Sequence, residues 1–394
     1  MISKRLQAVS ASATLAMDAK AKALQAEGMD IVKFGVGEPD YPTPDHIKEA
    51  GIKAINDNET RYTANPGIAP LKEAICRKFE DDNGLKFESN QVLVSTGAKQ
   101  SIFNSLMSLV DPGDEVIIVA PYWVSYPEMV KLAGATPVVV QTDEDTEFKM
   151  TPEMLRAALS PRTRAMILNS PSNPTGGVYE RKELEALGEV IAEADIWVIS
   201  DEVYESLIYD GREHFSILTA CPQLVNRCVV VNGVSKAYAM TGWRIGYAAA
   251  PVELISAMSS VQSHSTSNAS SVSQWAALAA LEGPKDPIHA MVKEYARRRD
   301  YMTERLLNLP GFTTSKPGGA FYIFPNVADL MGTTISGREI SDGDALCDLF
   351  LEEAHVALVP GTGFGSPENI RFSYSTSMER IEEGFDRLED LLSR

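Results

Sequence analysis

Against 54 aspartates and glutamates the chain carries only 36 lysines and arginines, a formal net charge of -18. A field of that sign argues against nucleic acid or an anionic membrane surface as the main partner. It leaves small anionic substrates open, because one local arginine or lysine overrides the global field. Cysteine is sparse as well: Cys76, Cys221, Cys228 and Cys347, with no C-x-x-C pair and five histidines that do not cluster with them. That pattern gives neither a disulfide framework nor a metal site. No apolar run approaches membrane-spanning length, and Met1-Ile2-Ser3-Lys4-Arg5-Leu6 lacks the apolar core of a signal peptide. A reduced, cytoplasmic protein is the expectation.

What is present is a globular mix, 394 residues of which 44% are hydrophobic, enough for a large core. Residues 4–27 are alanine-rich and predict a helix stopped by Gly28. A short strand at 31–34 leads into Gly35-Val36-Gly37-Glu38-Pro39-Asp40. That loop lacks the third glycine and the immediate helix of a dinucleotide site, since Pro39, Pro42 and Pro44 intervene. Thr43 is expected to cap the next helix, with Pro44 at its first position. From there strands are predicted at 91–95, 115–120, 136–140, 165–168 and 196–200, separated by helices near 99–110, 126–133, 152–159 and 180–193. Such alternation means an α/β fold with a mostly parallel sheet sandwiched by helices. After Pro251 the pattern turns helical, with a long charged helix near 287–308. It then becomes mixed, with strands at 320–324, 356–359 and 369–374 and helices at 342–354 and 378–392. The expected division is a large domain over 45–286 and a smaller α+β domain from 1–44 plus 287–394.

The chemistry is expected beyond the carboxyl ends of the parallel strands. The β-branched run at Val229 to Val231 reads as a buried strand, and a small-residue turn carrying Lys236 follows it. Desolvation and positive neighbours push such a lysine toward the neutral amine that Schiff-base chemistry needs. The other strand ends hold Gly97-Ala98-Lys99 at a helix start, Trp123, Asn173, and Asp201 with Tyr204. One flat pyridine aldehyde bearing a phosphate would use the whole set. Lys236 bonds to the aldehyde and Asp201 keeps the ring nitrogen protonated. Asn173 and Tyr204 face the ring hydroxylate, and Trp123 stacks on the ring. Gly97, Ala98, Lys99 and Arg244 hold the phosphate, with Ser235 or Tyr62 as further contacts.

Three phrases then carry a resemblance: Ser170-Pro171-Ser172-Asn173-Pro174-Thr175-Gly176, Ser200-Asp201-Glu202-Val203-Tyr204, and Ser235-Lys236 with Gly242-Trp243-Arg244-Ile245-Gly246. Together they are similar to the class I/II aminotransferases, which are fold-type I pyridoxal 5'-phosphate enzymes. With Pro121-Tyr122-Trp123-Val124-Ser125-Tyr126-Pro127, the chain resembles bacterial aspartate aminotransferases of subgroup Ib.

The resemblance implies that Lys236 is catalytic and that the substrates are an amino acid and a 2-oxo acid. Arg371 is implied to clamp the α-carboxylate, with Gly37, Trp123 and Asn173 beside it. Lys99 and Thr14 are implied to meet a distal carboxylate, which favours aspartate with 2-oxoglutarate. Tyr62 is implied to reach the cofactor phosphate of a neighbouring subunit, hence a homodimer with shared sites. One departure stands out: relatives often read Lys-Pro-Ser-Ala-Thr where this chain reads Ser10-Ala11-Ser12-Ala13-Thr14, and the missing lysine argues against the prephenate activity some relatives show and slightly against aspartate. The alternatives are another donor specificity (aromatic, alanine or prephenate), a lyase on the same fold, or a non-catalytic regulatory module that binds the cofactor.

Overall fold

The computed structural model describes residues 2–10 and 13–393. Its centre is a seven-stranded sheet built of β1 (Val92–Ser95), β2 (Glu115–Ala120), β3 (Thr136–Gln141), β4 (Thr163–Asn169), β5 (Trp197–Asp201), β6 (Cys228–Gly233) and β7 (Gly246–Ala249). The spatial order is β1-β7-β6-β5-β4-β2-β3. Strands β2 to β6 are mutually parallel, and β7 runs antiparallel to both β1 and β6. The exception follows from chain length. Only twelve residues, with no crossover helix, separate β6 from β7, so the chain doubles back into an antiparallel pair.

Burial on both faces explains the β-branched composition of these strands. Val230 packs on one side with Val92, Val94 and Val198. Its neighbours Val229 and Val231 pack on the other with Leu93, Ile118 and Ile199. A third core gathers Phe34, Phe321, Phe372, Phe385 and Leu388 from the two ends of the chain. Around it a three-stranded antiparallel sheet joins Val359–Pro360, Ile370–Ser373 and Tyr322–Ile323. The N-terminal strand Val32–Lys33 pairs in parallel with Val356–Ala357. The amphipathic helix Met378–Leu392 buries Ile381, Phe385, Leu388 and Leu391, one stripe at helical spacing.

Several expectations need correction. The N-terminal helix is two pieces, Lys4–Gln7 and Ala13–Ala26. Between them the Ser10 N–H leaves the helical pattern and donates to Glu128 Oε2 at 2.9 Å. Ala11 and Ser12 lie outside the described residues. Thr43 does not cap its helix, which starts at Asp45 with Pro44 in the capping position. The Thr43 hydroxyl instead donates to the Ala239 carbonyl and accepts from Trp243 Nε1. The strands near 320–324 and 356–359 are shorter and interrupted, and a small hairpin, Thr334–Ile335 with Arg338–Glu339, went unpredicted. Among the described residues no helix is long and apolar enough to cross a membrane.

Candidate active site

Register brings the strand-end residues together. Asn169, the last residue of β4, lies opposite Asp201, the last of β5, and Asp201 lies opposite Val231 of β6. Three residues after β6 the chain places Lys236 over the same edge. A cleft of about 600 Å³ opens there, lined by Asp201, Tyr204, Ser235, Lys236 and Arg244 from the large sheet. Gly37 and Arg371 close it from the terminal core, and Thr14 from the helix Ala13–Ala26. Ala98, Lys99, Trp123 and Asn173 complete the wall.

Lys236 Nζ donates to the Gly37 carbonyl at 2.5 Å and lies 5.7 Å from the Tyr204 ring. Burial, then the Arg371 and Arg244 charges, lower its pKa to about 8. Asp201 is 4% exposed. Its Oδ2 accepts from the Tyr126 hydroxyl at 2.6 Å and its Oδ1 from the Val203 N–H at 3.3 Å. Burial raises its pKa to about 6, against the pull of the Tyr126 hydrogen bond. Asn169 steadies the same corner. Its amide donates to the Asp201 carbonyl and its oxygen accepts from the Asn173 N–H, both at 2.9 Å.

Arg371 is 2% exposed and sits opposite Val359 in the small sheet. Nη1 donates to Asn173 Oδ1 at 3.0 Å and Nη2 to the Gly35 carbonyl at 2.9 Å, while Nε is buried without a partner. The guanidinium lies 4.5 Å from the Tyr322 ring centre and 5.0 Å from that of Phe364. Among the described residues no carboxylate pairs with it, and burial pulls its pKa down. A buried guanidinium with an unsatisfied donor is suited to an incoming carboxylate.

The Gly97 end is cationic too. Gly97 has φ +80 and precedes the helix Ala98–Leu109, whose first turn has no side-chain cap. A Cβ on Gly97 would stand 2.9 Å from Arg244 Cζ, so only glycine lets that guanidinium lie against the helix start. Arg244 itself holds φ +58 and donates to the Thr241 carbonyl at 2.8 Å. Lys99 Nζ lies 4.7 Å from the Trp123 ring centre, and burial together with Arg244 lowers its pKa. Trp123 stands edge-on to Tyr126, at 5.4 Å.

The donor set fits a phosphorylated pyridine aldehyde. An amine that titrates near 8, a buried carboxylate, a glycine cradle against Arg244 and an uncapped helix start meet in one cleft. Tyr62 stands apart from this group, since it is 92% exposed and does not line the cleft. Sequence reasoning missed Tyr126, Asn169 and Tyr322. The aromatics sit in apolar runs that read as core, and only their hydroxyl partners distinguish them. A separate trio, Glu202, Glu205 and His214, has metal-like spacing. Its carboxylates are already engaged: Glu202 by Ser200, Ser216 and His214, and Glu205 by Lys78 and Asn83.

A family profile described as "Aminotransferase class I and II" matches residues 29–388. The chain is 49% identical over 387 residues to an aspartate aminotransferase of Geobacillus stearothermophilus, covering 98% of each chain. It is 49% identical over 390 residues to an aspartate/prephenate aminotransferase of Cereibacter sphaeroides, again covering 98% of each. Among solved structures, an aspartate aminotransferase from Rhizobium meliloti superposes with a TM-score of 0.97 at 43% identity, over 100% of this chain and 99% of that one. One from Thermus thermophilus with maleate gives 0.92 at 42% identity, over 99% of both chains. The chain belongs to the class I and II aminotransferases, pyridoxal 5'-phosphate-dependent transferases.

Proposed function

We propose that this enzyme moves the amino group of L-aspartate to 2-oxoglutarate. The observation that carries the reading is the gathering of cations from different elements in one cleft. Arg371 comes from the small sheet, Lys99 from the helix Ala98–Leu109, and Arg244 from the turn before β7. A dicarboxylate and a phosphate give each of them a partner. Relatives named for aspartate, and a neighbouring structure with the dicarboxylate maleate, support this choice.

When bound, pyridoxal phosphate supplies an electron-withdrawing ring that accommodates the pair left behind as the substrate's α-proton departs. The remaining work falls to side chains. Arg244 and the N–H groups at Gly97 to Lys99 hold the phosphate, joined by Ser235. Asp201, ionised above about pH 6, holds a proton on the ring nitrogen. Tyr204 and Asn173 would face the ring oxygen, and Trp123 would cover the ring. Arg371 takes the α-carboxylate as a bidentate pair, beside Gly37. Lys99, with Thr14 nearby, takes the distal carboxylate. Lys236 Nζ, readily neutral because its pKa is about 8, would take up the substrate's α-proton once the substrate's amine has replaced it on the cofactor.

The exposed ring of Tyr62 belongs to the cofactor site of a second copy, so the working form is a homodimer with shared sites. The division is 45–286 as the large domain and 1–44 plus 287–394 as the small one, supported by a core that draws Phe34 and Phe372 together. Four free cysteines suit a cytoplasmic setting. The test is coupled turnover over a panel of donors with 2-oxoglutarate. L-Aspartate should exceed L-phenylalanine and L-alanine in kcat/KM by at least about tenfold, the size of one buried charge contact. Preference for aromatic or small apolar donors would overturn the assignment.

A further inference from the structure

Tyr322 stands between the two anchors of the cleft. It lies in the short strand Tyr322–Ile323, opposite Ser373 on the strand that carries Arg371. Its hydroxyl is 2.9 Å from that of Tyr204, and its ring faces the Arg371 guanidinium at 4.5 Å. Both tyrosines are buried. Tyr204 follows β5 of the large sheet, whereas Tyr322 and Arg371 belong to the small one. One side chain therefore touches the residue assigned to the cofactor's ring oxygen and the residue assigned to the substrate's carboxylate.

A phenol has a single proton. Tyr204 cannot give its proton to the ring oxygen and also to Tyr322, so the 2.9 Å contact has one consistent direction once the cofactor is held. Tyr322 donates, and Tyr204 accepts from it while donating onward. A hydroxyl that accepts a hydrogen bond becomes a better donor. We propose that Tyr322 is a positioning residue. Its hydroxyl aims and strengthens the Tyr204 donor, and its ring supports Arg371. The inference rests on the placement of Tyr204 given above. The charged groups facing this pair are Lys236, 5.7 Å from the Tyr204 ring, and Asp201 and Arg371, both of which act on Tyr204.

Three variants of the holoenzyme test it: Y322F, Y322L and Y204F. The primary readout is the pH at which the bound cofactor's visible absorbance changes. Losing a donor to the ring oxygen destabilises its anionic form, so the midpoint moves to higher pH. Y322F keeps the ring and should raise the midpoint by about 0.3 to 1 unit, less than Y204F. It should leave the KM for L-aspartate within about twofold, since the ring still faces Arg371. Y322L should raise both the midpoint and the KM, the latter by about fivefold or more. A Y322F midpoint equal to wild type, alongside a raised Y204F midpoint, overturns the role of Tyr322 alone. Unmoved midpoints in both overturn it together with the placement of Tyr204.

Discussion

Replacing Gly246 by alanine tests how the phosphate end of the cleft is built. Gly246 lies in β7, opposite Ser95 and Gly233. An added Cβ would stand 2.7 Å from Ala98 Cα and closer still to the Ala98 nitrogen and the Gly97 carbonyl carbon. Ordinary contact begins near 3.4 Å, so the backbone must retreat. No flexible side chain can swing aside in its place. Overpacking of this kind costs about 1–3 kcal/mol. The retreat falls on the start of the helix Ala98–Leu109 and on Gly97, which lies against Arg244. If half or more of that cost is borne by the phosphate site, the dissociation constant for pyridoxal phosphate rises by about 2- to 150-fold. The assay is an absorbance titration of the apoprotein with cofactor, beside thermal unfolding without it, where Tm should fall by about 1–4 °C. Gly242 of the same motif is the control. A Cβ there meets nothing within 4 Å, so G242A should bind as wild type. Cofactor affinity of G246A equal to wild type would show that the helix start does not depend on this close approach.

Three further perturbations probe the other corners. Y126F removes a donor that holds Asp201 down against its burial, so the Asp201 pKa rises above about 6. The acid limb of the kcat/KM profile should then move to higher pH by about 0.5–1 unit, and an unmoved limb would contradict the role of that hydrogen bond. K99M should raise the KM for L-aspartate by about tenfold or more while sparing L-alanine, and equal losses on both donors would remove Lys99 from the distal site. The rate at which the apoprotein takes up pyridoxal phosphate should climb through a midpoint near pH 8. Lys236, lowered from 10.5, is ammonium below that value and neutral above it; a midpoint near 10.5 would deny the depressed pKa.

The seven central strands were largely legible because burial on both faces demands runs such as Val229 to Val231, which little else produces. Lys236, Asp201 and Asn173 could be singled out for a related reason: they lie at, or within four residues of, the carboxyl ends of buried parallel strands, where an open sheet places its ligands. The reversal of β7 was not, because Ile245 to Ala249 is apolar in either direction. Thr43 misled because its hydroxyl serves Ala239 and Trp243, about 200 positions away, and local pattern carries no trace of such partners. Tyr126 and Tyr322 were hidden the same way. Each looks like a core aromatic until its hydroxyl is seen against Asp201 or Tyr204.

The central claim is that Lys236 is the residue that bonds to the cofactor. Borohydride reduction of the holoenzyme, followed by proteolysis and mass spectrometry, tests it most directly. The reduced pyridoxyl group should appear on Lys236 alone, be lost in Lys236→Ala, and be absent from that lysine when L-aspartate alone is added first. A label on another lysine, or turnover retained by Lys236→Ala, would contradict it.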